Sequence, residues 1–124
     1  MEAGKKRILL IDVDDARRAS RVSLLAGFGY DVSTHPDFLS AESLGREDSF
    51  DLVIVAIAEK YERALQYSDG LARRNPSLPV LLLKDYGVFV PVETISASIH
   101  SGDPADLLQR VAGMLSVSTH IRAL

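Results

Sequence analysis

Short apolar runs alternate with longer amphipathic stretches along almost the whole chain. Arg7–Asp12, Leu52–Ile57 and Pro79–Leu83 are mostly aliphatic, and Tyr30–Thr34 alternates between polar and apolar positions. Continuous apolar runs are typical of strands buried on both faces, as in parallel sheets, whereas alternation indicates a strand with one exposed face. The pattern therefore predicts four strands over the first two thirds of the chain.

Amphipathic stretches separate most of these runs. Apolar residues recur at helical spacing over Asp15–Ala26, over Glu59–Arg74 and from Pro104 to Leu115, and a shorter helix is predicted to begin at Asp37. Strands that alternate with helices form a parallel sheet with helices on both faces, because each parallel connection needs a crossover. Functional sites in such sheets form beyond the carboxyl ends of the strands.

The connection before the last strand is too short for a full helix. Lys84 follows the fourth strand, and His100 follows a fifth strand that is expected before the last helix; the two residues are 16 positions apart. A helix, two loops and a strand need roughly 19–27 residues. We therefore expect the fourth helix to be shortened or missing. Val88, Phe89 and Val90 in this segment are then either a contact surface for a partner or ordinary packing over the sheet edge.

Composition narrows the class of protein. The 124 residues, 47% of them hydrophobic, fit a single domain, and we expect a core over about residues 5–115 with residues 116–124 as a tail or the start of a linker. A net charge of −3 gives no general reason to bind nucleic acid, and the apolar runs are far shorter than the ~20 residues that span a bilayer. The absence of cysteine excludes disulfides and thiolate metal sites and suits a cytoplasmic location.

Five segments, in this order and spacing, resemble the receiver domain of bacterial two-component response regulators. They are KRILLIDVDDARR at the first strand, GFGYDV before the second, FDLVIVAI at the third, SLPVLLL at the fourth and GDPADLLQRV at the last helix. The likeness covers about residues 5–115. It implies a flavodoxin-like α/β fold, with a doubly wound five-stranded parallel sheet in the order 2-1-3-4-5.

The resemblance also implies a phosphorylation chemistry whose residues are mostly changed here. In the family, a carboxylate at the end of the third strand accepts a phosphoryl group, an acidic pair holds a divalent cation, and a hydroxyl and a lysine bind the phosphoryl oxygens. Asp12 matches the first acid of the pair, whereas the second position holds Val13. The acceptor position holds Ala56, the hydroxyl position Lys84 and the lysine position His100.

Because Ala56 offers no nucleophile, the resemblance predicts a degenerate receiver that has lost its acceptor. A shifted register does not supply one, since residues 52–58 contain no acid and Glu59 lies three positions beyond Ala56. Lys84 is then either a solvated lysine, or a cation that forms a salt bridge with Asp12 or Asp14 across the gap left by Ala56. A nucleophilic role for Lys84 has no accompanying base or cofactor motif.

The acidic residues after the first strand have two interpretations. Asp12, Asp14 and Asp15 could hold a hard cation through their oxygens, or Asp14 caps the first helix while Asp15 complements its positive end. The second interpretation is favoured because no acceptor carboxylate completes the set, so Mg²⁺ binding is expected to be weak or absent, with no other metal or cofactor. The lone His100 is expected to be hydrogen-bonded or exposed.

No G-x-G-x-x-G, P-loop, H-E-x-x-H or G-x-S-x-G motif occurs, so neither an enzyme activity nor a catalytic residue is predicted. The leading hypothesis is a phosphorylation-independent module that binds a protein partner or dimerises, in bacterial signal transduction or transcription control, without contacting nucleic acid or membrane itself. The alternatives are a switch phosphorylated on another carboxylate, such as Asp12 or Asp85, and a small-ligand sensor whose pocket is opened by Ala56.

Overall fold

The computed structural model describes residues 4–36, 50–57, 61–84, 99–101 and 104–123. Within these ranges, strands and helices alternate along most of the chain. They are β1 (Arg7–Ile11), α1 (Asp15–Gly27), β2 (Asp31–His35), β3 (Leu52–Ile57), α2 (Tyr61–Arg74), β4 (Val80–Lys84), β5 (Ile99–Ser101) and α3 (Pro104–Ala123).

The strands form one sheet in the order β2-β1-β3-β4-β5, and every neighbouring pair is parallel. The register pairs Ile11 of β1 with Val55 of β3, and Ala56 of β3 with Leu83 of β4. All six residues of the central strand β3 are buried, as expected of a strand that has neighbours on both sides and helices on both faces. The predicted parallel sheet with flanking helices is confirmed.

Successive strand residues point to opposite faces, so the sheet separates two apolar clusters. One face of the sheet packs against α2. This cluster joins the helix residues Ala64, Tyr67 and Leu71 to the strand residues Leu9, Ile11, Val53, Val55, Ile57 and Leu82. The other face packs against α1 and α3. This cluster joins Leu25 of α1 and Leu107, Val111 and Leu115 of α3 to the strand residues Ile8, Leu10, Leu52, Ile54, Leu81 and Leu83. Helix α1 is therefore fixed to the sheet through Leu25, and its N-terminus is held next to the end of β1.

Element boundaries differ from the sequence-based expectation mainly at the last helix. The apolar stripe predicts a helix to Leu115 followed by a tail, whereas α3 continues to Ala123. No glycine or proline follows Gly113 to stop the helix.

The helix predicted to begin at Asp37 lies outside the described residues, as does the segment from Asp85 to Ser98. The expected loss of the fourth helix and the surface Val88, Phe89 and Val90 fall in that segment. Among the described residues, no helix combines the length and the hydropathy of a membrane-spanning segment.

The end of α1 depends on a glycine. Phe28 and Gly29 donate backbone hydrogen bonds to Leu25 and Ala26, and Gly29 has φ +94°, in the left-handed region. Only glycine enters this region without steric penalty from a Cβ atom. The turn directs the chain from α1 into β2, where Asp31 N donates to Lys6 O at 2.9 Å.

Gly29→Ala should therefore destabilise the domain by about 1–2 kcal/mol, because its Cβ atom disfavours positive φ. Gly27→Ala is the matched control, since Gly27 is helical and an added Cβ meets nothing within 4 Å. That change should be neutral or stabilising by up to about 1 kcal/mol. Urea denaturation of both variants measures the difference, and equal effects at the two positions would contradict the assignment.

Candidate functional site

The residues of interest meet at the carboxyl edge of the sheet. Asp12 directly follows β1, and its backbone N–H still donates to His35 O of the neighbouring strand at 3.1 Å. Because Ile11 is paired with Val55, the register brings Asp12 beside Ala56. Lys84 ends β4, paired with Ile57 on one side and with Ser101 of β5 on the other. The sequence-predicted positions thus share one edge, on neighbouring strands.

Asp12 is a buried carboxylate with an arginine as its partner. The side chain of Asp12 is 2% exposed, and that of Arg21, on α1, is 7% exposed. Arg21 Nη1 donates to Asp12 Oδ2 at 2.7 Å, and the backbone N–H of Asp14 donates to Asp12 Oδ1 at 3.0 Å. A buried charge needs such compensation, because leaving it unpaired in the interior costs several kcal/mol.

A second arginine of α1 holds the same residue by its backbone. Arg18 Nη1 donates to Asp12 O at 2.7 Å, while Arg18 Nη2 donates to Asp15 Oδ1 at 2.6 Å. Arg18 and Arg21 are three positions apart on the helix and therefore lie on one face, and long helical side chains point back towards the N-terminus. Both arginines consequently reach from α1 to the end of β1.

Asp14 caps α1, as predicted. Its backbone is extended, with φ −83° and ψ 116°, and its Oδ1 accepts from Arg17 N at 2.8 Å. This hydrogen bond is the largest influence on the Asp14 carboxyl, and together with the charge of Arg17, the Ala16 N–H and the charge of Arg21 it outweighs desolvation and lowers the pKa of Asp14 from its ordinary 3.8. The second interpretation of the acidic residues, as helix-start groups, is the one that the geometry favours.

The three acids do not form a divalent cation site. Asp12, Asp14 and Asp15 form ion pairs with Arg21, Arg17 and Arg18, respectively, and both oxygens of Asp12 already accept hydrogen bonds. The described ranges contain no group of three or more His, Asp or Glu residues placed to hold a metal ion. Val13 offers no oxygen ligand from its side chain, which is exposed. The residues present therefore do not fit the Mg²⁺ that the family resemblance implies.

Ala56 contributes packing and no reactive group. It is 6% exposed and lies in the middle of the sheet edge, between Asp12, which follows β1, and Leu83 on β4. A methyl group there cannot attack a phosphoryl donor, and it places no second charge beside Asp12.

The predicted salt bridge from Lys84 to Asp12 or Asp14 is wrong. Asp12 pairs with Arg21 instead, Asp14 pairs with Arg17, and no ion pair within the described ranges joins Lys84 to either acid. Lys84 lies two strands from Asp12, which places their backbones roughly 10 Å apart. Arg21 reaches from a helix packed directly over the end of β1, so its path is shorter.

His100 is placed only by its backbone, in β5 opposite Leu83.

Arg21 is the residue that sequence reasoning missed. The signal was present, because Arg21 precedes the buried Leu25 by four residues and therefore lies on the inward face of α1. A charged residue on a buried helix face demands a buried counter-charge, and Asp12 is the nearest acid that follows a buried strand.

Comparison with known proteins supports this fold. No family model matches the chain. The transcriptional regulatory protein ZraR of Klebsiella oxytoca is 32% identical over 95 residues, which are 77% of this chain and 21% of ZraR. The chain thus spans about a fifth of the length of this relative.

Solved receiver structures superpose over nearly the whole chain. The CheY-like receiver domain protein of Methanospirillum hungatei JF-1 has a TM-score of 0.77 and 20% identity, over 94% of this chain and 98% of that chain. A chain in the complex of histidine kinase ThkA with response regulator protein TrrA has a TM-score of 0.74 and 22% identity, over 89% and 98%. The chain therefore has the flavodoxin-like fold of response-regulator receiver domains.

Arg21→Met should destabilise the domain by about 3–5 kcal/mol, because it leaves the Asp12 carboxylate buried and unpaired. Arg17→Met is the matched control on the same helix. Its partner Asp14 lies at 3.7 Å and both side chains are 40% or more exposed, so the loss should stay below about 1 kcal/mol. Chemical denaturation gives both values. Adding Asp12→Asn to Arg21→Met should recover part of the loss, and equal losses for the two arginine variants would refute the buried pairing.

The capping role of Asp14 predicts a pH dependence. Because the folded-state pKa of Asp14 lies below 3.8, the ionised carboxyl adds stability that is complete well above 3.8 and is lost as the pH falls through the folded-state pKa. Asp14→Asn keeps a capping side chain but removes the charge. The difference in Tm between the wild type and Asp14→Asn should be largest near neutral pH and should shrink in strong acid. A difference that is constant with pH would show that the charge is irrelevant.

Proposed function

We propose that this chain is a receiver domain of a bacterial two-component signalling protein that acts without phosphorylation, as a cytoplasmic protein-interaction module. The observation that carries the proposal is Ala56, a buried methyl group at the sheet-edge position beside Asp12. Aspartyl phosphorylation requires a carboxylate there, and neither neighbour in the register, Asp12 or Leu83, takes over that role.

The geometry of Asp12 argues against its use as a substitute acceptor. A nucleophilic carboxylate must present a free oxygen to the phosphoryl donor, in line with the leaving group. Both Asp12 oxygens accept hydrogen bonds, and its side chain is 2% exposed. Attack would first require the ion pair with Arg21 to break.

The proposed partner is a protein or a second copy of this chain. The TrrA structure supports this class of partner, because that response regulator was solved in complex with a histidine kinase. The likeness to part of ZraR supports a role in transcription control, with this domain as the regulatory part of a longer protein. On this proposal the domain catalyses no reaction, and its surface is what its partners recognise.

The test is incubation with acetyl phosphate and Mg²⁺ followed by intact-mass measurement. The expected result is an unchanged mass and an unchanged backbone amide NMR spectrum, because no nucleophile is available at Ala56. A receiver domain that gains one phosphoryl group from acetyl phosphate under the same conditions serves as the positive control for the donor. A near-stoichiometric gain of one phosphoryl group would overturn the proposal, and peptide mapping would then identify the modified carboxylate.

A further inference from the structure

We propose that Arg21 is the resident cation of the acidic edge, and that its guanidinium closes this edge to divalent metal ions. Once oxygen ligands are supplied around Asp12, removal of this one side chain should open a metal site. The proposal is independent of whether the domain is phosphorylated, because it concerns only which cation neutralises Asp12.

The first support is the placement of the guanidinium. Arg21 Nη1 lies 2.7 Å from Asp12 Oδ2, and both side chains are almost completely buried. A metal ion bound to that oxygen would occupy the same space as the guanidinium. Asp12 Oδ1 also accepts a hydrogen bond, from the Asp14 N–H, and the Asp12 side chain is 2% exposed.

The second support is the balance of charge. Asp12, Asp14 and Asp15 are each paired with an arginine from the first two turns of α1. A divalent ion added to this arrangement would place a double positive charge within a few ångströms of the buried Arg21. Because such repulsion is weakly screened away from water, the guanidinium and the metal compete for the same carboxylate.

The third support is that oxygen ligands can be added next to Asp12 by substituting two residues. Val13 follows Asp12 in the chain, and Ala56 lies beside it in the sheet register. Aspartates at these two positions would add two carboxylates next to Asp12 at the edge. Restoring the oxygens and removing the arginine are therefore separable changes.

The experiment compares two variants. Val13→Asp/Ala56→Asp supplies the oxygens and keeps Arg21, whereas Val13→Asp/Ala56→Asp/Arg21→Met also removes the guanidinium. Mn²⁺ is the probe, and binding is followed by the electron paramagnetic resonance signal of the free ion. The triple variant should bind Mn²⁺ about tenfold or more tightly than the double variant, because the competing positive charge is gone.

The matched control adds Arg17→Met in place of Arg21→Met. It removes the same formal charge from α1, but at a side chain that is 47% exposed and bonded to Asp14. Its Mn²⁺ affinity should stay close to that of the double variant. Equal affinities of the double variant and the Arg21→Met triple variant would overturn the proposal, as would an equal gain from either arginine.

Folding of the triple variant provides a second readout. If Arg21→Met prevents folding in the absence of metal, circular dichroism is measured as Mn²⁺ is added. Recovery of the folded spectrum supports the proposal, because the metal then replaces the guanidinium at Asp12, whereas no recovery overturns it. These outcomes are distinct from the phosphodonor test, which uses the unmodified chain and reports only on a nucleophile.

Discussion

The buried ion pair between Asp12 and Arg21 is the constraint on which the functional edge of this domain depends. A carboxylate at the end of an interior strand must be neutralised within the protein, since water does not reach it. The two charges also lose their hydration, so the pair is favourable only when the hydrogen bonds are good. Here, the 2.7 Å contact to Arg21 and the 3.0 Å contact from the Asp14 N–H meet that condition. The start of α1 is fixed as a consequence.

The parallel sheet determines which residues can take part. Its register aligns Asp12, Ala56 and Leu83 across three strands at one edge, so a side chain that acts on Asp12 must come from the next strand or from the covering helix. On the β3 side, the position beside Asp12 holds only the methyl group of Ala56. Within the described residues, the charged contacts of Asp12 are therefore made at the junction between β1 and α1, where Arg18 also holds the Asp12 carbonyl at 2.7 Å.

Hydrophobic periodicity predicts four of the described strands and the helices around them, whereas the order of the strands in the sheet followed from the resemblance to receiver domains. Buried strands such as Leu52–Ile57 have an almost unbroken apolar pattern, and a proline at position 104 marks the start of the last helix. The end of that helix was missed because the apolar stripe stops at Leu115, although no glycine or proline interrupts the helix before Ala123. Positions along one edge were predicted correctly, but distances across the edge were not. A one-dimensional pattern does not show that Lys84 is two strands from Asp12, whereas Arg21, nine residues along the chain from Asp12, is in contact with it.

The source of the neutralising charge determines what the domain can sense. A ligand shifts a conformational equilibrium only by the difference in its affinity for the two states. When the cation at Asp12 is an ion from solution, its concentration and any added phosphate can supply such a difference. Arg21 is covalently part of the chain and is present at every ion concentration. On the proposed function, the sheet edge at Asp12 therefore does not respond to the concentration of metal ions or phosphate. On the same proposal, the domain is then controlled through access of a partner to its surface.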